Sequence, residues 1–238
     1  LTDIKSALSK DKEIKENTRN ALVGWINNLE ELNLFSSVDN PSISDIIKPG
    51  HLTVVDLSDI IDLRKKQIIV NYFAQRLFFE RRNKRLPPFL LVLEEAHQFV
   101  PERAAADVAV SKSIIRTIAR EGRKFGASLC LVSQRPVQLD TTVLSQCNTH
   151  IILRITNPYD LKHIGESSEG LDKRSEEMIS GLKVGEALIV GEATHYPLFF
   201  KVRKRNSMES KHEISLEKAA LDFEEKKEKA REETEELL

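Results

Sequence analysis

An α/β fold with a mainly parallel sheet is predicted by three observations. Residues Phe89–Leu93 are an unbroken apolar run, read as a strand buried on both faces, and Pro87 and Pro88 end whatever precedes it. A second apolar run, residues 128–133, lies a helix-length further on. Between them Ile114, Ile115, Ile118 and Ala119 recur at helical spacing, with Gly122 and Gly126 near the stop. Two strands joined through a helix predict a parallel crossover, and the later strand and helix signals continue the alternation.

The elements follow in order. Residues 3–35 read as helical, because Ile4, Leu8, Ile14, Leu22, Trp25, Ile26, Leu29 and Leu32 recur mostly at three- and four-residue steps. Turns are expected at 39–41 and at Pro49 and Gly50. Residues 51–57 read as a strand, and 64–84 as a long helix. After the 89–93 strand comes a loop near 98–108, where Ala104, Ala105 and Ala106 are small enough for mobility. The 112–126 helix leads into the 128–133 strand. A short helix near 141–146, a strand at 150–154, and helices at 158–164 and 173–179 come next. Strands at 185–190 and 196–203 read as an antiparallel pair closing the sheet edge. Residues 214–238 are charged and helical, with a thin stripe of Leu216, Ala220, Phe223, Lys227, Ala230, Thr234 and Leu237. Such a helix is marginal alone and calls for a partner surface, in this subunit or the next; the alternative is a solvated tail. The domain expectation is a helical segment at 1–48, part of a bundle, a core at 49–206 and a charged helix at 207–238.

Composition narrows the class. An apolar content of 40% suffices for a core, and no run approaches the roughly 18 apolar residues of a membrane span. No secretory signal pattern is present, and two cysteines, Cys130 in a core strand and Cys147 in a loop, suit a reducing cytosol, so a cytoplasmic location is expected. The six histidines lack ligand spacing, which argues against structural zinc. The net charge of −1 gives no global pull toward nucleic acid. Residues 213–238 hold ten acids and five bases, so the other 212 residues carry about +4. Basic clusters stand at Arg81, Arg82, Lys84 and Arg85, and at Lys201, Arg203, Lys204 and Arg205. Each is a phosphate-contact candidate or a solvated face. High Lys and Glu content also fits a thermophile.

The chemistry concentrates after the first strand. Glu94 and Glu95 follow Leu93 at its C-terminal end, where ligands bind in open α/β sheets. Adjacent residues leave a strand in opposite directions, so the two acids can hold different tasks. In ATPases one acid here organises Mg²⁺ and the next polarises the attacking water. The plain alternative is a strand running into a solvated turn. Arg116, Arg120 and Arg123 share one face of the following helix at i, i+4 and i+7, and Gln134 ends the next strand. His97 reads as a packing or supporting residue. No Gly-x-x-x-x-Gly-Lys-Ser/Thr phosphate loop occurs among the 238 residues. We expect the chain to be part of a longer protein whose phosphate loop lies upstream of Leu1; the rival is a degenerate, non-hydrolysing relative.

Three stretches carry a family resemblance: Leu90-Val-Leu-Glu-Glu-Ala-His97, Ile118-Ala-Arg-Glu-Gly-Arg-Lys-Phe-Gly126 and Leu131-Val-Ser-Gln-Arg-Pro136. They resemble the archaeal HerA family of hexameric DNA translocases, within the HerA/FtsK superfamily. Asn148-Thr-His-Ile-Ile-Leu-Arg154 and Gly181-Leu-Lys-Val-Gly-Glu-Ala187 are also similar. The resemblance spans roughly residues 50–205 and implies a RecA-like P-loop ATPase core, here without its first strand and phosphate loop. It implies ATP and Mg²⁺ as cofactors and double-stranded DNA as partner. It further implies a homo-oligomeric, hexameric ring, a NurA-type nuclease in DNA end resection, and no membrane. Residue by residue, it implies that Glu95 activates the lytic water and that Glu94 supports Mg²⁺ through water, its extra methylene relative to Asp making direct contact doubtful. Gln134 senses the γ-phosphate, with a strand-end cap as the plain alternative. Arg120 acts as an arginine finger in the neighbouring subunit, with Arg123 at the same interface. For Arg120 the alternative is a salt bridge to Glu121 or Glu102; Arg116 is read as structural. Two other function classes stand beside this one: a conjugation or secretion motor of the same superfamily, and a non-hydrolysing ring-assembly module.

Overall fold

The structure is a computed structural model that describes residues 1–11, 13–31, 42–104, 108–168, 171–208, 217–218, 220–224 and 227. They fall into two compact units, Leu1–Phe200 and Lys201–Leu238. The first unit opens with helices α1 (Thr2–Lys10) and α2 (Glu16–Glu31), which the apolar spacing predicts. The Arg19 side chain ties them, its Nε donating to the Leu8 carbonyl at 3.0 Å, and Lys5 pairs with Glu30. In α2 only Ile26 is buried, and half-exposed Trp25 carries the Arg64 guanidinium 4.9 Å from its ring centroid. A short helix, α3 (Ile43–Ile46), was not expected; Ser42 caps it. The expected turn at 39–41 lies outside the described residues, as do Ala105 and Ala106.

The central motif forms as the pattern predicts. Asp62 caps α4 (Leu63–Arg82), accepting from the N–H groups of Arg64 and Lys65. Strand β1 (Phe89–Leu93) pairs in parallel with β2 (Ala127–Leu131), Phe89 opposite Ala127 and Leu93 opposite Leu131. Helix α5 (Lys112–Phe125) makes the crossover and lays Ile115 and Ile118 into the core. Burying each contributes roughly 1.5–3 kcal/mol. There Val70 of α4 packs with Leu93, Val100, Ile115, Leu139 and Val143, while Ala74 and Phe78 pack with Ile118 and Ala127.

Two glycines set the tight return from α5 to β2. Gly126 ends the helix at φ 68°, where its N–H reaches the Arg123 and Gly122 carbonyls. A Cβ on Gly122 would lie 2.2 Å from the Ala127 carbonyl oxygen. Gly122→Ala is therefore expected to force α5 away from β2 and to destabilise by about 1–3 kcal/mol. Thermal unfolding checks this: an unchanged Tm would mean the helix shifts without cost.

Further along, Asp140 caps α6 (Thr141–Leu144) and Asn157 caps α7 (Pro158–Ser167). A second core of Ile152, Ile164, Ile179, Leu182, Leu188 and Val190 joins β3 (Thr149–Ile152), α7, α8 (Lys173–Ser180) and β4 (Glu186–Gly191). β4 pairs antiparallel with β3, and β5 (Leu198–Lys201) lies outside it. In the second unit the described residues 217–218, 220–224 and 227 are helical. Leu216, Ala230, Thr234 and Leu237 of the expected stripe lie outside the described residues.

Four expectations are corrected. Among the described residues the strands make two sheets, β1–β2 and β3–β4–β5, rather than one. Residues 51–57 have β-forming composition but no strand partner among the described residues; Leu52 and Val54 are 87% and 75% exposed. A strand needs a neighbour for its ladder, and composition does not supply one. β1 is buried on one face only: α4 and α5 both cover the Leu91 and Leu93 side, leaving Leu90 and Val92 exposed. Cys130 lies on that uncovered side and is exposed rather than in the core.

Candidate functional site

Parallel pairing brings the C-terminal ends of β1 and β2 side by side, and the ladder continues past both. The Val132 N–H donates to the Leu93 carbonyl and the Ala96 N–H to the Val132 carbonyl, each at 2.9 Å. Between these bonds the chain must turn sharply, and Glu95 takes up the turn at φ 49°, ψ 44°. A side-chain-bearing residue in this left-handed region is uncommon and costs about 1–2 kcal/mol. It separates the two acids. Glu94 is exposed and makes no hydrogen bond or ion pair among the described residues. Glu95 is held from both sides: Gln134 Nε2 donates to its Oε1 at 3.0 Å, and His97 Nδ1 lies 3.3 Å from its Oε2. His97 Nδ1 is also 3.0 Å from Ser133 Oγ, which accepts the Arg135 N–H at 3.1 Å. Glu95, His97, Ser133 and Gln134 thus form one polar cluster across the two strand ends. Ser133 had no sequence signal beyond its place in the strand motif.

Chemically, this arrangement holds an ionisable carboxylate at fixed direction beside an amide that both donates and accepts. No group of three or more His, Cys, Asp or Glu among the described residues could hold a metal ion. The residues present thus offer a cation no more than a partial shell, in which exposed Glu94 is an available carboxylate.

The side chains of the α5 arginines make no hydrogen bond or ion pair with this cluster among the described residues. Arg120 and Arg123 are exposed on α5, and their side chains make no hydrogen bond or ion pair among the described residues. Glu102, one partner considered for Arg120, is engaged elsewhere: its carboxylate accepts the Thr141 N–H at 2.6 Å and the Thr141 hydroxyl at 2.8 Å. Arg116, one turn earlier, makes a two-pronged bond to buried Asp140, Nε to Oδ1 at 3.0 Å and Nη2 to Oδ2 at 2.5 Å. Burial opposes ionisation of Asp140, but Arg116 and Lys112 outweigh it and hold the carboxyl below the usual carboxylate range. Asp140 was missed by the sequence reading; the available signal was an N-cap residue before a short helix.

No protein-family model matches the chain. It is 32% identical over 231 residues to the DNA double-strand break repair helicase HerA of Pyrococcus furiosus, covering 83% of this chain and 41% of that protein. Against HerA of Saccharolobus solfataricus it is 38% identical over 188 residues, covering 74% and 37%. The chain thus spans about two fifths of the length of these relatives. Among solved structures, the genome packaging NTPase B204 of Sulfolobus turreted icosahedral virus 2, in complex with AMPPCP, superimposes with a TM-score of 0.52. That match has 19% identity and covers 69% of this chain and 72% of that one. It supports the α/β fold seen here. No helix among the described residues is long and apolar enough to cross a membrane. Over most of its length, the chain is similar to the DNA double-strand break repair helicases named HerA.

Proposed function

We propose that the chain carries the hydrolytic portion of an ATP-driven, double-stranded DNA translocase that works as a hexameric ring in the cytoplasm, together with a nuclease in end resection. The observation that carries this reading is the Gln134–Glu95 bond at the ends of two parallel strands, with Glu95 in a left-handed turn. Names of the relatives, DNA double-strand break repair helicases, support the substrate class. In this reading Glu95 takes the proton of the attacking water. Gln134 reports γ-phosphate through the same amide that touches Glu95, and Glu94 orients the waters around Mg²⁺. When bound, Mg²⁺ neutralises charge on the β- and γ-phosphates. Arg120 and Arg123, free of partners among the described residues, reach the neighbouring subunit's nucleotide.

The phosphate loop normally supplies most phosphate contacts, and none occurs in these 238 residues. Calorimetric titration of the 238-residue chain with ATP and Mg²⁺ is expected to show affinity no better than about 1 mM. Rings assembled with a phosphate-loop segment are expected to bind ATP and to hydrolyse it faster with duplex DNA. Micromolar ATP binding by the 238 residues alone, or rings with no DNA-stimulated turnover, would overturn the reading.

A further inference from the structure

Asp140 lies six residues beyond Gln134 in the chain, and three segments converge on it. The loop after Glu95 is stitched to the loop after Gln134. The Glu102 N–H donates to the Gln138 carbonyl at 2.8 Å, the Asp140 N–H to the Val100 carbonyl at 3.0 Å, and Pro101 bridges Leu139. Helix α5 then closes the junction. Lys112 Nζ donates to the carbonyls of Pro101 and Glu102 at 2.6 and 2.9 Å and lies 3.0 Å from Asp140 Oδ2. Arg116 adds its two-pronged bond from the next turn. The Asp140 carboxylate is 2% exposed, and its remaining bond caps α6 through the Val143 N–H at 3.1 Å.

An ion pair of this kind is a weak source of stability, because desolvation offsets the attraction; its geometry is what it adds. Apolar packing of Ile114, Ile115 and Ile118 holds α5 against the sheet. A planar guanidinium on a carboxylate adds a directional contact to that packing. Arg120 and Arg123 follow Arg116 on the same helix by about 6 and 10.5 Å along the axis. All three arginines ride on the one helix that the Asp140 contact holds.

We propose that the Asp140–Arg116 pair is a positioning element that sets the α5 arginine face, and so couples the Gln134 loop of one subunit to the Arg120 contact on its neighbour. It rests on the reading of Arg120 given above. Misplacing a charged group by about 1 Å can cost 10²-fold in rate, so the pair is expected to matter for turnover more than for binding.

The test uses rings assembled with a phosphate-loop segment. Arg116→Met is chosen because the Arg116 side chain is 39% exposed and Lys112 still partners Asp140 after its removal. Expected are a kcat lowered roughly 10- to 100-fold, a KM for ATP within about twofold, and cooperative melting. Arg116→Lys should recover part of the rate. In mixed rings, Arg116→Met should regain activity with Glu95→Gln subunits, which bring an intact Arg120, and not with Arg120→Ala subunits. A wild-type rate, the reverse mixing pattern, a raised KM at unchanged kcat, or loss of cooperative melting in both variants overturns the proposal. The Glu95→Gln and Arg120→Ala control mixture separates the two levels. If it recovers while Arg116→Met fails its pattern, only the positioning role falls. If the control stays silent, the trans role of Arg120 falls and takes this one with it.

Discussion

Glu95→Gln, in rings assembled with a phosphate-loop segment, is expected to leave ATP binding and assembly intact and to reduce turnover by at least about 10²-fold. The substitution replaces one carboxylate oxygen by an amide nitrogen of nearly the same size. The Gln134 donor still finds an oxygen acceptor, and the left-handed turn at residue 95 is set by the Ala96 and Val132 ladder bonds rather than by side-chain charge. What disappears is the group that can take a proton from water, and general-base assistance contributes typically 10²–10⁴ in rate. Retained ATP measured by filter binding, beside phosphate release under the same conditions, checks both halves. Turnover within tenfold of the unsubstituted ring would remove Glu95 from the chemistry and leave its turn unexplained. Loss of ATP binding would instead make Glu95 part of the nucleotide's own contacts.

The β1–α5–β2 motif was legible because its information is local. A five-residue apolar run, a helical stripe at Ile114, Ile115 and Ile118, and glycines at 122 and 126 each act over a few residues. Parallel pairing then follows from the crossover, and it places Gln134 against Glu95 without further information. Features that depend on sequence-remote partners were not legible. Residues 51–57 have the composition of a strand, yet strand formation requires a neighbour that composition cannot name. The uncovered face of Leu90, Val92 and Cys130 has the same origin, since an apolar run does not say how many of its faces meet a helix. Arg116 could be read as structural from its helix position, but its partner 24 residues away could not be identified. Exposure of Arg120 was equally invisible, because a guanidinium beside Glu121 in sequence has a local partner available. The structure leaves that partner unused among the described residues.

Arg120→Ala is expected to keep ATP binding and to lower turnover by roughly 10³–10⁵-fold, the range that arginine fingers contribute. Guanidinium suits such a role because its planar fork meets developing phosphoryl charge in two places and stays protonated. Its exposure on α5, with no ion pair among the described residues, leaves it available to another subunit. The mixing experiment tests this directly. Glu95→Gln subunits bring a sound Arg120, and Arg120→Ala subunits bring a sound Glu95. In a mixed ring some interfaces pair the two sound residues, and activity should return there in proportion to their number. A residue acting within its own subunit gives no such return, because every subunit in the mixture then carries one defect. Mixed rings that demonstrably form and yet stay at the level of the single variants would leave two explanations: an Arg120 that serves its own helix, or a ring that needs all its sites at once. Diluting Arg120→Ala into unsubstituted subunits separates these: a linear fall in rate marks independent sites and a helix-bound role, whereas a steep fall at the first substituted subunit marks a ring whose sites fire together.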